Sequence, residues 1–318
     1  MAPRSARVPA FAKLNLGLRI LYKRADNYHE LRTVFQTISL ADRLDISFAP
    51  ARKTTIEIHG TPGIVDNLVE RSARLTLESL NLHAHLSFRL TKKIPMGAGL
   101  GGGSSDAAAV LLALPVLARK ALSAAQLHSL AAQLGSDVPF FLYGGTALGL
   151  GRGEELYPLP DQPRARGLLV VSGVHSSTAE AYRGLSASLT SIALQNKLNT
   201  FQQEVWRGGA SGVAMDGNDF EEVVFARHPG LRDIKQRLLR YGARPAAMTG
   251  SGSAVFGIFT DTGRLERARR FLRDHQVSPI SFVSRAQYRS AWWRALKFHA
   301  EGKQWPPQSR HAQNQSAR

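Results

Sequence analysis

Pro95–Asp106 reads P-M-G-A-G-L-G-G-G-S-S-D and runs without a break into the apolar segment Ala107–Leu114. Glycine fills five of the seven positions from Gly97 to Gly103, and two hydroxyls and a carboxylate follow at the mouth of a helix. Glycine lets backbone N–H groups approach an oxyanion with no Cβ in the way. The opening turn of a helix adds N–H donors that lack intrahelical partners, and roughly half a positive charge. Pro95, Met96, Gly97, Ala98, Gly99, Leu100, Gly101, Gly102, Gly103, Ser104 and Ser105 therefore read as a phosphate cradle. The competing reading is a flexible loop capped by Ser104 or Ser105.

The loop is not of the Walker A type, because no Gly-Lys-Ser/Thr follows the glycines. Gly97, Gly99 and Gly102 satisfy G-x-G-x-x-G, but no Asp or Glu lies between Asp106 and Asp137 to take the ribose of a dinucleotide. The strand lysine, H-R-D and D-F-G segments of a protein kinase are also missing. The phosphates expected here are those of ATP, held in a third kind of fold.

A chain of 318 residues with 43% hydrophobic content can bury a substantial core and is expected to form two domains. It has no cysteine, which excludes disulfides, thiol catalysis and cysteine-ligated zinc and fits a reducing cytoplasm. The N-terminus lacks a signal-peptide pattern and the longest apolar run, Ala107–Ala118, is too short for a bilayer, so no membrane role and a cytoplasmic location are expected. Lys and Arg exceed Asp and Glu by 41 − 24 = 17. Such an excess raises nucleic acid as a partner, yet no long basic block or aromatic-interleaved patch is present. No specific nucleic acid is expected. Oligomeric state, monomer or homodimer, is left open.

Val8–Leu21 alternates as a strand, placing Lys13 and Asn15 on one face. A turn near Ala25–Tyr28 leads to apolar segments at Leu31–Leu40 and Leu44–Phe48. Asp66 or Asn67 caps a helix from Leu68 to about Leu80, and His85–Leu90 alternates before the glycine loop. Ser123–Leu134 has a helical stripe, and Ser136-Asp137-Val138-Pro139 opens an apolar segment at Phe140–Tyr143. From Gly167 onward a second set of strands and helices follows, with a glycine-rich turn, T-G-S-G-S, at Thr249–Ser253. The pattern argues for α+β, with domains at 1–160 and 161–285 and a basic, partly disordered tail at 286–318.

Ala12–Leu18 (A-K-L-N-L-G-L), Asn27–Leu31 (N-Y-H-E-L), Gly135–Phe141 (G-S-D-V-P-F-F) and Met248–Phe256 (M-T-G-S-G-S-A-V-F), taken with the glycine loop, resemble the GHMP kinases. Within that superfamily they are similar to the 4-diphosphocytidyl-2-C-methyl-D-erythritol kinase branch of the non-mevalonate isoprenoid pathway. The resemblance implies an N-terminal domain like ribosomal protein S5 domain 2, a ferredoxin-like C-terminal domain, and an active site between them. It implies transfer of the ATP γ-phosphate to the 2-hydroxyl of a cytidine diphosphate-linked polyol, with Mg²⁺ as cofactor and ADP as product. Asp137 would be the catalytic base and Lys13 its charged neighbour. Tyr28 and His29 would hold the cytosine, with Tyr182 stacking on the ring's other face. Asn67 and Lys92 would lie near the adenosine. Asn15 and the Gly250, Ser251, Gly252 turn are further substrate-binding candidates, and Ser105 a candidate metal ligand. Asn27 stands where glycine is usual, and Ala98 replaces a glycine. Other GHMP kinases, of homoserine or mevalonate type, and an RNA-binding protein are the competing readings.

An ordinary aspartate, at about 3.9, is about 12 units too weak a base to strip a free alcohol near 16. Asp137 could only accept a hydrogen bond, aim the oxygen and take the proton late, while Lys13 kept it ionised. Without the resemblance, Asp137 reads equally as a helix cap before Val-Pro and Lys13 as a solvated strand residue.

Overall fold

The alternation that begins at Val8 is part of a long hairpin: β1 (Arg4–Lys23) turns at Asn27, whose φ is 65°, and returns as β2 (His29–Pro50). The computed structural model describes residues 3–60, 67–174, 178–185, 199, 201, 203, 217–302 and 304–312; Asp66, one of the two expected helix caps, lies outside them. The two segments expected at 31–40 and 44–48 are one strand. The polar break between them is not a turn, because Asp42 is buried and bonded while it pairs with Ala10 of β1. Register shifts at Phe11/Lys13 and Asn15/Gly17 bracket Lys13 and Asn15, the two buried polar residues of β1, local kinks of the kind that re-aim side chains.

The first sheet continues through β3 (Thr55–His59), β4 (Ala84–Thr91), β5 (Thr146–Leu150) and β6 (Glu155–Pro158), in the order β3-β4-β2-β5-β6 with β1 on β2. Among the described strands of this sheet only β3 and β4 run parallel. Its helices are α1 (Leu68–Ser79), α2 (Gly102–Ala118), α3 (Ala124–Leu134) and the single turn α4 (Phe140–Tyr143). α2 is buried at every position from Ser105 to Ala118, as a core helix apolar on all sides must be. The second sheet holds β7 (Arg166–Val171), β8 (Ala246–Met248), β9 (Val255–Phe259) and β10 (Gln276–Ser281), antiparallel throughout in the order β10-β7-β9-β8. With α5 (Thr178–Leu185), α6 (Phe220–Arg227) and α7 (Pro229–Arg240) between β7 and β8, and α8 (Thr262–Phe271) before β10, this is the ferredoxin-like pattern. The fold is α+β. A buried cluster that draws Leu14 and Val34 from one sheet and Leu169 and Phe256 from the other joins the two lobes.

Within the segment expected as a basic, partly disordered tail, the described residues include an ordered, packed helix. Arg285–Leu296 forms α9, started by a Ser284/Gln287 capping box. Tyr288, Trp292 and Leu296, four residues apart, make one apolar stripe that sinks into the first core. Tyr288 Oη donates to the Phe141 carbonyl, and Trp305 Nε1 donates to the Leu142 carbonyl at 2.8 Å. The arginines between the apolar positions raised the overall polarity and hid the stripe. No helix among the described residues is long and apolar enough to cross a membrane.

Both ends of the glycine loop are tied to one buried ion cluster. Lys92 Nζ pairs with Asp42 and, at 2.8 Å, with Asp106 in the first turn of α2. Asp42 also accepts the amide of Ile94 at 2.8 Å. Burial raises the Asp106 carboxyl to about 7, against the opposite pull of Lys92. Between its ordinary value near 3.8 and about 7, the native state keeps a proton that the unfolded chain has lost, so stability falls as pH rises across that window.

Two outcomes are expected. Trp292→Ala should lower stability by about 3–5 kcal/mol, read as a shifted urea midpoint, whereas a loose tail would leave it unmoved. Asp106→Asn should gain on the unaltered protein as pH is raised from about 5 to 8; parallel denaturation curves across that range would contradict the buried carboxyl.

Candidate active site

β1 carries Lys13 and Asn15 into the middle of the molecule, and neither is solvated: they are 3% and 2% exposed. Lys13 Nζ donates to Asn15 Oδ1 at 2.6 Å and lies 3.3 Å from Asp137 Oδ2. Asn15 Nδ2 donates to Thr33 Oγ1 at 2.8 Å, and that hydroxyl donates to the Gly17 carbonyl at 2.7 Å. The Lys13 ammonium also sits 5.3 Å from the Phe35 ring centroid. The cation is thus held from three sides. Asp137, which precedes α4, keeps a third of its side chain accessible.

Asp137 and Lys13 border a cavity of about 660 Å³, with Asn15, Tyr28, His29, Tyr182 and the Gly250, Ser251, Gly252 turn along its wall. A second cavity of about 410 Å³ is lined by Asn67, Lys92 and the loop from Pro95 to Ser104, with Met96 exposed at its edge. Gly97, Gly99, Gly101 and Ser104 line both. The loop is a shared partition, with main-chain amides available to either side.

The start of α2 departs from the hydroxyl-cap reading. Gly101 is the N-cap, left-handed at φ 68°, and no side chain caps the helix. The first-turn amides, which have no intrahelical acceptors, are left for a ligand. Ser105, the metal-ligand candidate, is buried and lines neither cavity; Ser104 lines both. Ser105 donates its amide to the Gly101 carbonyl at 2.8 Å, and the helical turn carries its side chain inward. Asn67 caps α1 through a bond from the Val69 amide, 3.0 Å, while also lining the smaller cavity. Lys92 reaches that cavity already engaged by Asp42 and Asp106.

The aromatic group also differs in arrangement. Tyr182 stacks directly on His29, with centroids 4.6 Å apart and planes 19° apart, too close for a third ring between them. Tyr28 is half exposed, and its ring is covered by the Arg152 guanidinium at 4.6 Å. Flat rings facing a polar cavity reduce their exposed area by pairing with the nearest planar group. Among the described residues His29 Nε2 is buried without a partner, and burial, with Lys23 nearby, lowers the ring's pKa and favours the neutral imidazole. Burial, with the Asp137 charge added, pushes the Tyr182 phenol up to about 12.

Three residues were not singled out in the sequence. Thr249 accepts the Asn15 amide at 3.0 Å and donates to the Gly99 carbonyl at 3.3 Å. Asn218 braces the second turn by donating to the carbonyls of Met248, 2.9 Å, and Gly250, 2.7 Å. Arg152 borders the larger cavity. Thr249 meets Asn15 and Gly99 across 234 and 150 positions, and Asn218 meets Met248 across 30, separations that leave no local signal.

Family comparisons agree with this architecture. The GHMP kinases N terminal domain matches residues 67–145 and the GHMP kinases C terminal domain residues 199–277. A 4-diphosphocytidyl-2-C-methyl-D-erythritol kinase of Solibacter usitatus (strain Ellin6076) is 54% identical over 312 residues, covering 97% of this chain and 98% of the relative. The enzyme of the same name from Moorella thermoacetica is 42% identical, covering 87% and 98%. A crystal structure of 4-(cytidine 5'-diphospho)-2C-methyl-D-erythritol kinase superposes with a TM-score of 0.71 at 35% identity, over 87% of this chain and 98% of that one. The Methanococcus jannaschii mevalonate kinase, at 14% identity and a TM-score of 0.66 over 89% of this chain and 99% of its own, shares the fold alone. With more than half its residues shared along nearly its whole length with one such relative, the chain belongs to the 4-diphosphocytidyl-2-C-methyl-D-erythritol kinase family of GHMP kinases.

Proposed function

We infer that the chain is a small-molecule kinase that transfers the γ-phosphate of ATP to the 2-hydroxyl of 4-diphosphocytidyl-2-C-methyl-D-erythritol. The products are the 2-phosphate and ADP, and the step belongs to the non-mevalonate isoprenoid pathway. The observation that carries this reading is the partition: two cavities back on one glycine loop, and the Lys13–Asp137 pair stands in the larger of them.

Phosphoryl transfer depends on positioning and charge neutralisation more than on covalent chemistry by the protein. ATP lies in the smaller cavity, its adenosine near Asn67, Lys92 and Met96 and its phosphates on the amides of Gly97–Ser104. The acceptor lies in the larger one. Its 2-hydroxyl donates to Asp137, which aims the oxygen and takes the proton as the new P–O bond forms. Lys13, held by Asn15 and Phe35, offsets the negative charge that gathers between carboxylate and phosphoryl group. Because its partners are fixed before the reactants arrive, little reorganisation is left for the reaction itself.

Among the described residues no cluster of three acids or histidines can hold a metal by itself. The residues fit Mg²⁺ only as an ion bound with the nucleotide, with the Ser104 hydroxyl beside its phosphates. There it would neutralise charge on the β- and γ-oxygens. At the far end of the larger cavity, His29 with its free Nε2 reads the polar edge of cytosine. Tyr28 and Tyr182 supply flat faces, and the base takes the place on Tyr182 that His29 now occupies.

Coupled ADP release, with and without the cytidylated acceptor, tests the assignment: turnover should require it, and homoserine or mevalonate should not replace it. Asp137→Asn should lower turnover about 10²–10⁴-fold while ATP still binds; near-normal turnover would remove Asp137 from the mechanism. His29→Ala should raise KM for the acceptor about 10-fold or more, the loss expected from a desolvated hydrogen bond, and leave KM for ATP in place. Equal effects on both would contradict the cytosine assignment.

A further inference from the structure

Arg152 is the unassigned cation of the acceptor cavity. Four side chains on its wall can carry a full charge near neutral pH: Lys13, His29, Asp137 and Arg152. Lys13 is engaged by Asn15 and Asp137, and the burial of His29 favours its neutral form. Arg152 is differently placed. It lies between β5 and β6, where Glu154 accepts its amide at 2.7 Å and its Nε at 3.1 Å. No described residue accepts a bond from its two terminal nitrogens. Its guanidinium rests 4.6 Å from the centroid of Tyr28, itself a wall of the cavity.

A phosphate diester carried into a half-closed cavity loses hydration, which is costly unless a donor replaces it. A guanidinium pinned at its root, with its outer edge unbonded, is suited to that task, because it meets phosphate oxygens with paired, charge-assisted bonds. A base laid near Tyr28 also places the phosphates that follow it in the neighbourhood of that fork.

We propose that Arg152, anchored by Glu154 and stacked on Tyr28, binds the diphosphate of the nucleoside-diphosphate-linked acceptor and so distinguishes it from an uncharged nucleoside. The proposal rests on the cytidine reading above, and the experiment separates the two. Cytidine and CDP are compared as competitors of the acceptor, in the unaltered enzyme and in Arg152→Ala and Arg152→Lys, with KM for ATP as the internal reference.

Arg152→Ala should weaken CDP about 10-fold or more, the loss of one charge-assisted pair, and cytidine less than about 2-fold. Lysine, which keeps the charge without the fork, should recover part of the loss. Equal weakening of both competitors would show Arg152 acting only through the Tyr28 ring, and would overturn the proposal, as would no weakening of either. If neither compound competes with the acceptor in the unaltered enzyme, the cytidine reading fails first and the role of Arg152 with it.

Discussion

The site exists because two main chains touch. A Cβ at Gly99 would lie 2.1 Å from the Thr249 carbonyl oxygen, closer than any side chain allows, and Gly99 is left-handed at φ 76°. Only glycine meets both conditions. The contact brings the turn at Gly250–Gly252, which follows β8 of the second lobe, against the loop that opens α2 in the first. Thr249 converts the approach into bonds, reaching the Gly99 carbonyl and the Asn15 amide at once. The cavity between the lobes, its shared glycine wall and the height of Lys13 within it all follow from that junction.

Charge is arranged around the junction in two buried groups. The Asp42–Lys92–Asp106 cluster holds the ends of the loop, one acid on β2 and the other on α2. The Thr33–Asn15–Lys13–Asp137 chain runs along the larger cavity. Lys13, Asn15, Asp42 and Asp106 are buried, and away from water opposite charges interact more strongly and an unpaired charge costs more. The first cluster has one acid more than its cation can pair; burial raises the Asp106 carboxyl, and the Asp42 charge adds to that against the opposite pull of Lys92. In the second, the lysine lies deep and the carboxylate reaches the cavity, so the group proposed to meet a substrate hydroxyl is the accessible one.

Local pattern carried a good deal of this. The glycine count between Gly97 and Gly103 reads as a phosphate cradle, and the structure sets that loop between two cavities. Two-residue alternation put Lys13 and Asn15 on one strand face, and they do bond to each other. Asn27 at φ 65° is the turn residue its side chain suggests. Local pattern misled where a polar residue is buried. Asp42 looked like an interruption in β2, and Tyr288 and Trp292 fell in what read as a basic, partly disordered tail, since a stripe of three apolar positions is easily masked by its neighbours.

By itself, then, the sequence determined most of the elements and the family, because strand period, helix period and glycine's freedom act over a few residues. The tertiary structure decided which polar groups share a space. Thr249 joins Asn15 across 234 positions, Ser104 rather than Ser105 lines the cavities, and Tyr182 rests on His29 instead of standing apart from it. Those outcomes depend on how two lobes pack around a common cluster at Leu14, Val34, Leu169 and Phe256. Packing of that range has no period for a sequence to display.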